Sequence, residues 1–129
     1  MQSIISVMEQ KEDLLHGNGA SKEEVALAEK ALSLSFAQDY REYLLTYGIA
    51  AFDGHEFTGI SKSQRLSVVE ATQRSWELCP QVEKDMYVLE EGMDGIIVWQ
   101  KQTGEVYSTG MTETVKKEGD CIVAYLGTE

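Results

Sequence analysis

The stretch Ser21–Ile60, SKEEVALAEKALSLSFAQDYREYLLTYGIAAFDGHEFTGI, decides the fold. Ser21 with Glu24 three residues on makes a capping box, in which hydroxyl and carboxylate reciprocally satisfy amides at a helix start. Val25, Ala28, Ala31 and Leu32 then form a narrow apolar stripe suited to close helix packing. Ser35 predicts the cap of a next helix, along which Phe36, Tyr40, Tyr43, Leu44 and Tyr47 recur on one broad face. Large aromatics at this spacing predict a buried face rather than a ligand box. Gly48 supplies the left-handed stop, and Phe52-Asp53-Gly54-His55 predicts a tight turn between two short strands.

Toward the N-terminus, residues 1–15 read as a first helix, with Ile4, Val7, Met8 and Leu15 at helical spacing and Gly17-Asn18-Gly19 as its stop. Beyond the central stretch, Ser63–Leu78 returns to helical spacing and Pro80 closes it. The last third reads as extended: Met86–Leu89, Gly95–Gln100 and Glu105–Thr109 are strands joined by glycine-containing connections. Ile96-Ile97-Val98-Trp99 does not alternate, which predicts a central strand covered on both faces, with Trp99 in the core. After Gly110 the chain is polar until Asp120, the predicted cap of a short closing segment, Cys121–Leu126. Helices first, then a mostly antiparallel sheet with one helix inserted, describe a single α+β domain over residues 1–129. Its sheet is twisted and its helices flank it.

Charge is the strongest compositional feature: 22 acids stand against 11 bases, a net of −11. Coulomb repulsion removes nucleic acid and anionic membrane from the direct partners and favours a basic protein. No apolar run approaches the ~20 residues of a membrane span. The opening MQSIISVMEQKEDLL lacks the basic start of a signal peptide. Cys79 and Cys121 belong to no close-spaced pair and read as reduced thiols of a cytoplasmic protein.

The inventory offers little chemistry. The phosphate-cradling, nucleophile-elbow, dinucleotide and zinc-helix patterns are missing, and the two histidines, His16 and His55, sit in predicted connections. The turn Glu91–Gly95 has acids and glycines but lacks the alternating ladder of a calcium loop. Neither a metal nor a cofactor is expected. What stands out is where acids lack neighbouring bases. Between Gly48 and Ser61 the charged residues are Asp53 and Glu56; between Asp85 and Gln100 they are Asp85, Glu90, Glu91 and Asp94. These stretches read as exposed turns, the places where recognition residues concentrate. Asp53, Glu56, Glu90, Glu91 and Asp94 are therefore the candidate partner-binding acids. Tyr107 is the candidate aromatic anchor beside them, with Trp99 favoured as core.

Leu34-Ser35-Phe36-Ala37-Gln38-Asp39-Tyr40-Arg41-Glu42-Tyr43-Leu44 resembles the L-P-x-D-Y-[KR]-x-[FY]-L segment of the SUKH superfamily, the Smi–Knr group named after a fungal cell-wall synthesis regulator. Phe36 and Ala37 stand where that family usually has Leu-Pro. Phe57–Ile60, Met86–Trp99 and Gln102–Tyr107 are similar, in order and spacing, to its later strands, so the likeness runs from about Ser21 onward. The resemblance implies an α+β domain with a twisted sheet and flanking helices. In bacteria it implies an immunity protein that binds and neutralises a polymorphic toxin, often a nuclease, in the producer's cytoplasm. It brings no catalytic residue. A regulatory or scaffold module of the same fold with a non-toxin partner is the alternative that the fungal members suggest. A third reading is a small-molecule or enzymatic site built on His55 with Asp53 or Glu56.

Overall fold

The computed structural model describes residues 3–92, 95–110 and 114–127. Within them lie the helices α1 (Ile4–Glu9), α2 (Lys22–Leu32), α3 (Gln38–Tyr47), α4 (Val68–Leu78) and α5 (Ile122–Leu126). The strands are β1 (Leu15–His16), β2 (Ala50–Phe52), β3 (His55–Phe57), β4 (Met86–Glu91), β5 (Ile97–Lys101), β6 (Val106–Thr109) and β7 (Val115–Gly119). They form one seven-stranded sheet in sequence order, each neighbouring pair antiparallel. This is the α+β architecture that the sequence predicts, with flanking helices inserted between strands.

Local chemistry explains the central elements. The capping box of α2 is complete: Glu24 N donates to Ser21 Oγ at 3.1 Å and Ser21 N to Glu24 Oε1 at 2.9 Å. Phe36, Tyr40, Tyr43, Leu44 and Tyr47 are all buried, as their spacing requires. Asp53 and Gly54 both take left-handed backbone, φ 48° and 79°, the conformation that closes a two-residue hairpin between β2 and β3. Gly19 and Gly59 allow close backbone approach: a Cβ on them would stand 2.0 Å from Leu45 O and 1.8 Å from Gly48 O.

The start of α3 is held in a way its own sequence does not announce. Its N-cap is Ala37, which has no capping side chain, rather than Ser35. The Ala37 amide instead donates to Tyr87 Oη on β4 at 3.0 Å, and that hydroxyl donates to Gln100 Oε1 on β5. Gln100 Nε2 donates to Asp39 Oδ1 at 2.9 Å, Tyr40 N to the same oxygen, and Ile122 N, opening α5, to Asp39 Oδ2 at 3.0 Å. A single carboxylate in the first turn of α3 thus ties β5 and the last helix to it, and Tyr87 adds β4. Below it, Tyr43 Oη donates to Thr58 O, and Tyr40 shares a hydrogen bond with Thr58 Oγ1. Burial pushes the Tyr40, Tyr43 and Tyr87 hydroxyls upward, so they act as neutral donors and acceptors. No buried side-chain polar atom among the described residues lacks a partner.

Two apolar clusters flank the sheet. The larger joins α1, α2, α3 and α5 to Tyr87, Leu89, Val98 and Val106; the smaller gathers Ala71, Cys79, Val82, Met86, Val88 and Trp99. Alternation along β4 and β5 sends Tyr87 to one cluster and Val88 to the other. Trp99 is fully buried, as expected for core. Both cysteines are free thiols.

Several boundaries differ from the sequence reading. The first helix stops at Glu9, and Leu15 belongs to β1, 73% exposed rather than on a helix's apolar face. Gly17 N donates to Ile49 O, so the glycine segment pulls the preceding residues onto β2 instead of merely ending a helix. The inserted helix starts only after its Ser67 cap. Ile96 precedes β5 and is exposed, so the strand covered on both faces begins one residue later. Cys121, not Asp120, caps α5. β7 escaped prediction because it is an edge strand, Val-Lys-Lys-Glu-Gly, whose charges suit a free edge and erase the apolar alternation. Since Asp39 accepts three hydrogen bonds in a part-buried setting, Asp39→Ala is expected to lower stability by about 2–4 kcal/mol. Glu42→Ala, on the exposed side of α3, is expected to change it by less than about 0.5 kcal/mol. Urea unfolding midpoints check the contrast.

Candidate partner-binding site

Three of the predicted acids, Glu56, Glu90 and Glu91, meet where the sheet opens. β3 and β4 share one registered pair, Phe57 with Glu90, supported by Thr58 N donating to Leu89 O at 2.9 Å. On one side of that point α4 lies along the edge of β4 that β3 has left. There Val88 N donates to Thr72 Oγ1 at 2.9 Å, and Trp76 Nε1 to Met86 O at 3.0 Å. On the other side the β2–β3 hairpin diverges from the end of β4. The divergence leaves a cleft of about 460 Å³ lined by Asp13, His55, Glu56, Glu90 and Glu91 among others.

A β-bulge sets what faces this cleft. Val88 pairs with Trp99 but Glu90 with Val98, so one extra residue, Leu89, enters β4. Strict alternation from Val88 would turn Glu90 toward the smaller cluster. The bulge turns it instead to the face of Val98, where α5 lies. Glu90 is only 7% exposed, and its carboxylate receives the Tyr125 hydroxyl at 2.5 Å and His55 Nδ1 at 2.8 Å. The Glu90 hydrogen bond raises the His55 pKa above its ordinary value against the opposing effect of burial. Burial, with Glu90 second, raises that of Tyr125. The expectation that Glu90 sits in an exposed turn is therefore corrected: it is a buried strand residue, and His55 is a half-buried strand residue paired with Glu90 rather than with Asp53 or Glu56.

The other acids are exposed but not uncompensated. Asp53 meets Lys11 Nζ at 2.9 Å, and its amide donates to Asp13 Oδ2. Glu56 takes two hydrogen bonds from the Arg65 guanidinium, which holds its carboxyl below the usual range. Glu91, the last residue of β4, meets Arg74 of α4 at 2.8 Å. The cations come from 42, 9 and 17 positions away in sequence (53−11, 65−56, 91−74), so a local charge count could not reveal them. Asp53, Glu56, Glu90 and Glu91 are thus brought together around one hairpin. Asp94 lies outside the described residues. Tyr107 does not join them: it sits on β6, two strands from β4, paired with Trp99 and packed against the smaller cluster. Its hydroxyl donates to Glu105, and Lys101 Nζ lies 5.2 Å from its ring centre.

Sequence reasoning missed the His55–Glu90–Tyr125 group entirely. The three residues are 35 positions apart on either side of Glu90, and only the bulge aims them at one point. Among the described residues no three His, Cys, Asp or Glu are grouped to hold a metal ion, and no helix is long and apolar enough to cross a membrane. The raised His55 pKa has a defined sign: its stabilising contribution is full below the unfolded value near 6.5 and is lost as pH rises through the folded value. NMR titration is expected to place the His55 midpoint above 6.5 in the native protein and lower in Glu90→Gln. The stability gap between native and Glu90→Gln proteins is expected to narrow as pH rises through that midpoint.

Comparison with known proteins gives the fold and the family. No curated protein sequence matches the chain. A crystal structure of a protein from Pseudomonas syringae pv. tomato aligns with a TM-score of 0.69 over 87% of this chain and 89% of that one, at 16% identity. At that identity the likeness is one of fold. A family model, SUKH_5, described as SMI1-KNR4 cell-wall, matches residues 1–117. With the predicted fold, the Asp39-Tyr40 helix start and this match all in agreement, the chain belongs to the SUKH superfamily as a domain of the SMI1-KNR4 cell-wall family.

Proposed function

We propose that this chain is a non-catalytic, cytoplasmic immunity protein that neutralises a toxin by binding a basic surface on it, for which a nuclease domain is a fitting target. The observation that carries the reading is the gathering of Glu56, Glu90 and Glu91 at one cleft where the β2–β3 hairpin leaves β4, with Asp53 at the turn of the same hairpin. Asp94, which follows Glu91 by three positions, adds to the same acidic set by sequence. Asp53 and Glu56 side chains are about half exposed, at 52% and 48%. Surface ion pairs of this kind contribute about 0–1 kcal/mol, so a partner's Lys or Arg displaces Lys11 or Arg65 at little cost. Until then the internal cations hold the carboxylates in place, which lowers the ordering cost of binding. The net charge of −11 adds long-range steering toward a basic partner.

The family's cell-wall description favours a second reading, a regulatory or scaffold module with a non-toxin partner. Co-purification from native cells at low and at moderate salt separates the two. A stoichiometric basic partner released as salt rises supports the immunity reading. An acidic multi-protein assembly supports the regulatory one. For a basic partner so obtained, Asp53→Asn, Glu56→Gln and Glu91→Gln together are expected to slow association at least tenfold at low salt and to flatten its salt dependence. Unchanged association kinetics would remove these acids from the interface.

A further inference from the structure

The hairpin that carries the acids has a second side. Ala50, Phe52 and Phe57 turn into the larger core, so Ala51 turns away from it, in register with Leu15 on β1 and Glu56 on β3. This side forms an open groove of about 210 Å³ whose walls include Leu15, Ile49, Ala51 and Leu66. Leu15 is 73% exposed there. The groove runs into the acidic cleft, because Leu15, Ala51 and Glu56 line both. Among the described residues, the walls of the two hollows carry the carboxylates of Asp13, Glu56, Glu90 and Glu91 and no Lys or Arg.

We propose that this groove is the anchor pocket for one large apolar side chain carried within a Lys/Arg-rich segment of the partner. The assignment rests on the acidic-cleft reading above and adds what that reading lacks, a dry contact beside the charges. Apolar walls next to a wall of carboxylates match a partner with an apolar residue flanked by cations, since each half repels the wrong neighbour. The size argues the same way: 210 Å³ lies below the roughly 300–1,000 Å³ of ordinary small-molecule sites but accepts a side chain. Strand addition is a poor fit, because β1 has two residues and Asp13 already occupies the Asp53 amide beyond it. The pocket is also built in advance. Gly17 N donates to Ile49 O at 3.0 Å and Ile60 N to Gly48 O at 3.0 Å, fixing the groove's end against the close-packed Gly48 and Gly59 backbones. A preformed pocket surrounded by charge is where interface anchors concentrate their effect.

The probe is a short fluorescein-labelled peptide of Lys and Arg with one central Leu, compared with a copy carrying Ala there, titrated with the whole protein at low salt. The Leu peptide is expected to bind about tenfold tighter, the effect of burying one such side chain. Leu15→Ser, at an exposed position without a core role, and Ala51→Phe, which fills the groove, are each expected to abolish the difference. Glu56→Gln with Glu91→Gln is expected to weaken both peptides alike. Equal, salt-sensitive binding of the two peptides by the native protein would overturn the groove proposal and leave the acidic-face reading standing. A preference that survives both Leu15→Ser and Ala51→Phe would overturn it too. Failure of both peptides to bind would overturn both readings.

Discussion

The hydrogen bonds of Asp39 are the constraint on which the rest of this structure depends. A carboxylate in the first turn of α3 suits the positive end of the helix, but here it also reaches β5 through Gln100 and α5 through the Ile122 amide. Tyr87 closes the circuit from β4 to the uncapped Ala37 amide. Helix starts normally use a neighbouring hydroxyl or carboxylate to satisfy their amides. This one also borrows from the sheet, so the helix start is fully satisfied only with β4 and β5 in place. The arrangement accounts physically for an Asp-Tyr pair at the start of this helix: Asp39 holds the sheet while Tyr40 and Tyr43 reach under it to Thr58.

That fixed centre lets the margin of the sheet be irregular. Thr58, held by two tyrosines and by Val88 and Leu89 carbonyls, is the last firm point between the hairpin and β4. On one side of it the hairpin diverges from β4, and on the other α4 occupies the edge that β3 has left. Alternation sends Glu90 and Glu91 to opposite faces, and the bulge at Leu89 completes the site by deciding which of them turns inward. Glu90 goes inward to His55 and Tyr125; Glu91 goes outward to Arg74. Two adjacent acids with the same charge thus have different physical roles, one as a buried acceptor and the other as a solvated charge.

How much of this the sequence discloses depends on the range over which each feature is encoded. The capping box, the aromatic stripe of α3, the Asp53-Gly54 turn and the buried Trp99 are encoded within a few residues, and each stands where its pattern predicts. The short β1, the polar edge strand β7 and the pairing of Asp53, Glu56 and Glu91 with remote cations depend on contacts between distant segments. Propensity and local charge counts carry no term for those. The candidate site was legible as a set of acids but not as a geometry: the residues converge, yet one is buried and three already hold cations. Tyr107 illustrates the same limit, since its strand was readable but not its distance from the hairpin.

The partner-binding face proposed for this domain is the hairpin together with the end of β4. Hydrogen–deuterium exchange on the complex with a basic partner, compared with the free protein, tests it most directly, because backbone amides report burial without altering any side chain. Slowed exchange is expected to be confined to β1, to the hairpin at residues 50–57 and to the last residues of β4, with β6 and β7 unchanged. Slowed exchange over β6 and β7, with the hairpin amides exchanging as in the free protein, would contradict it.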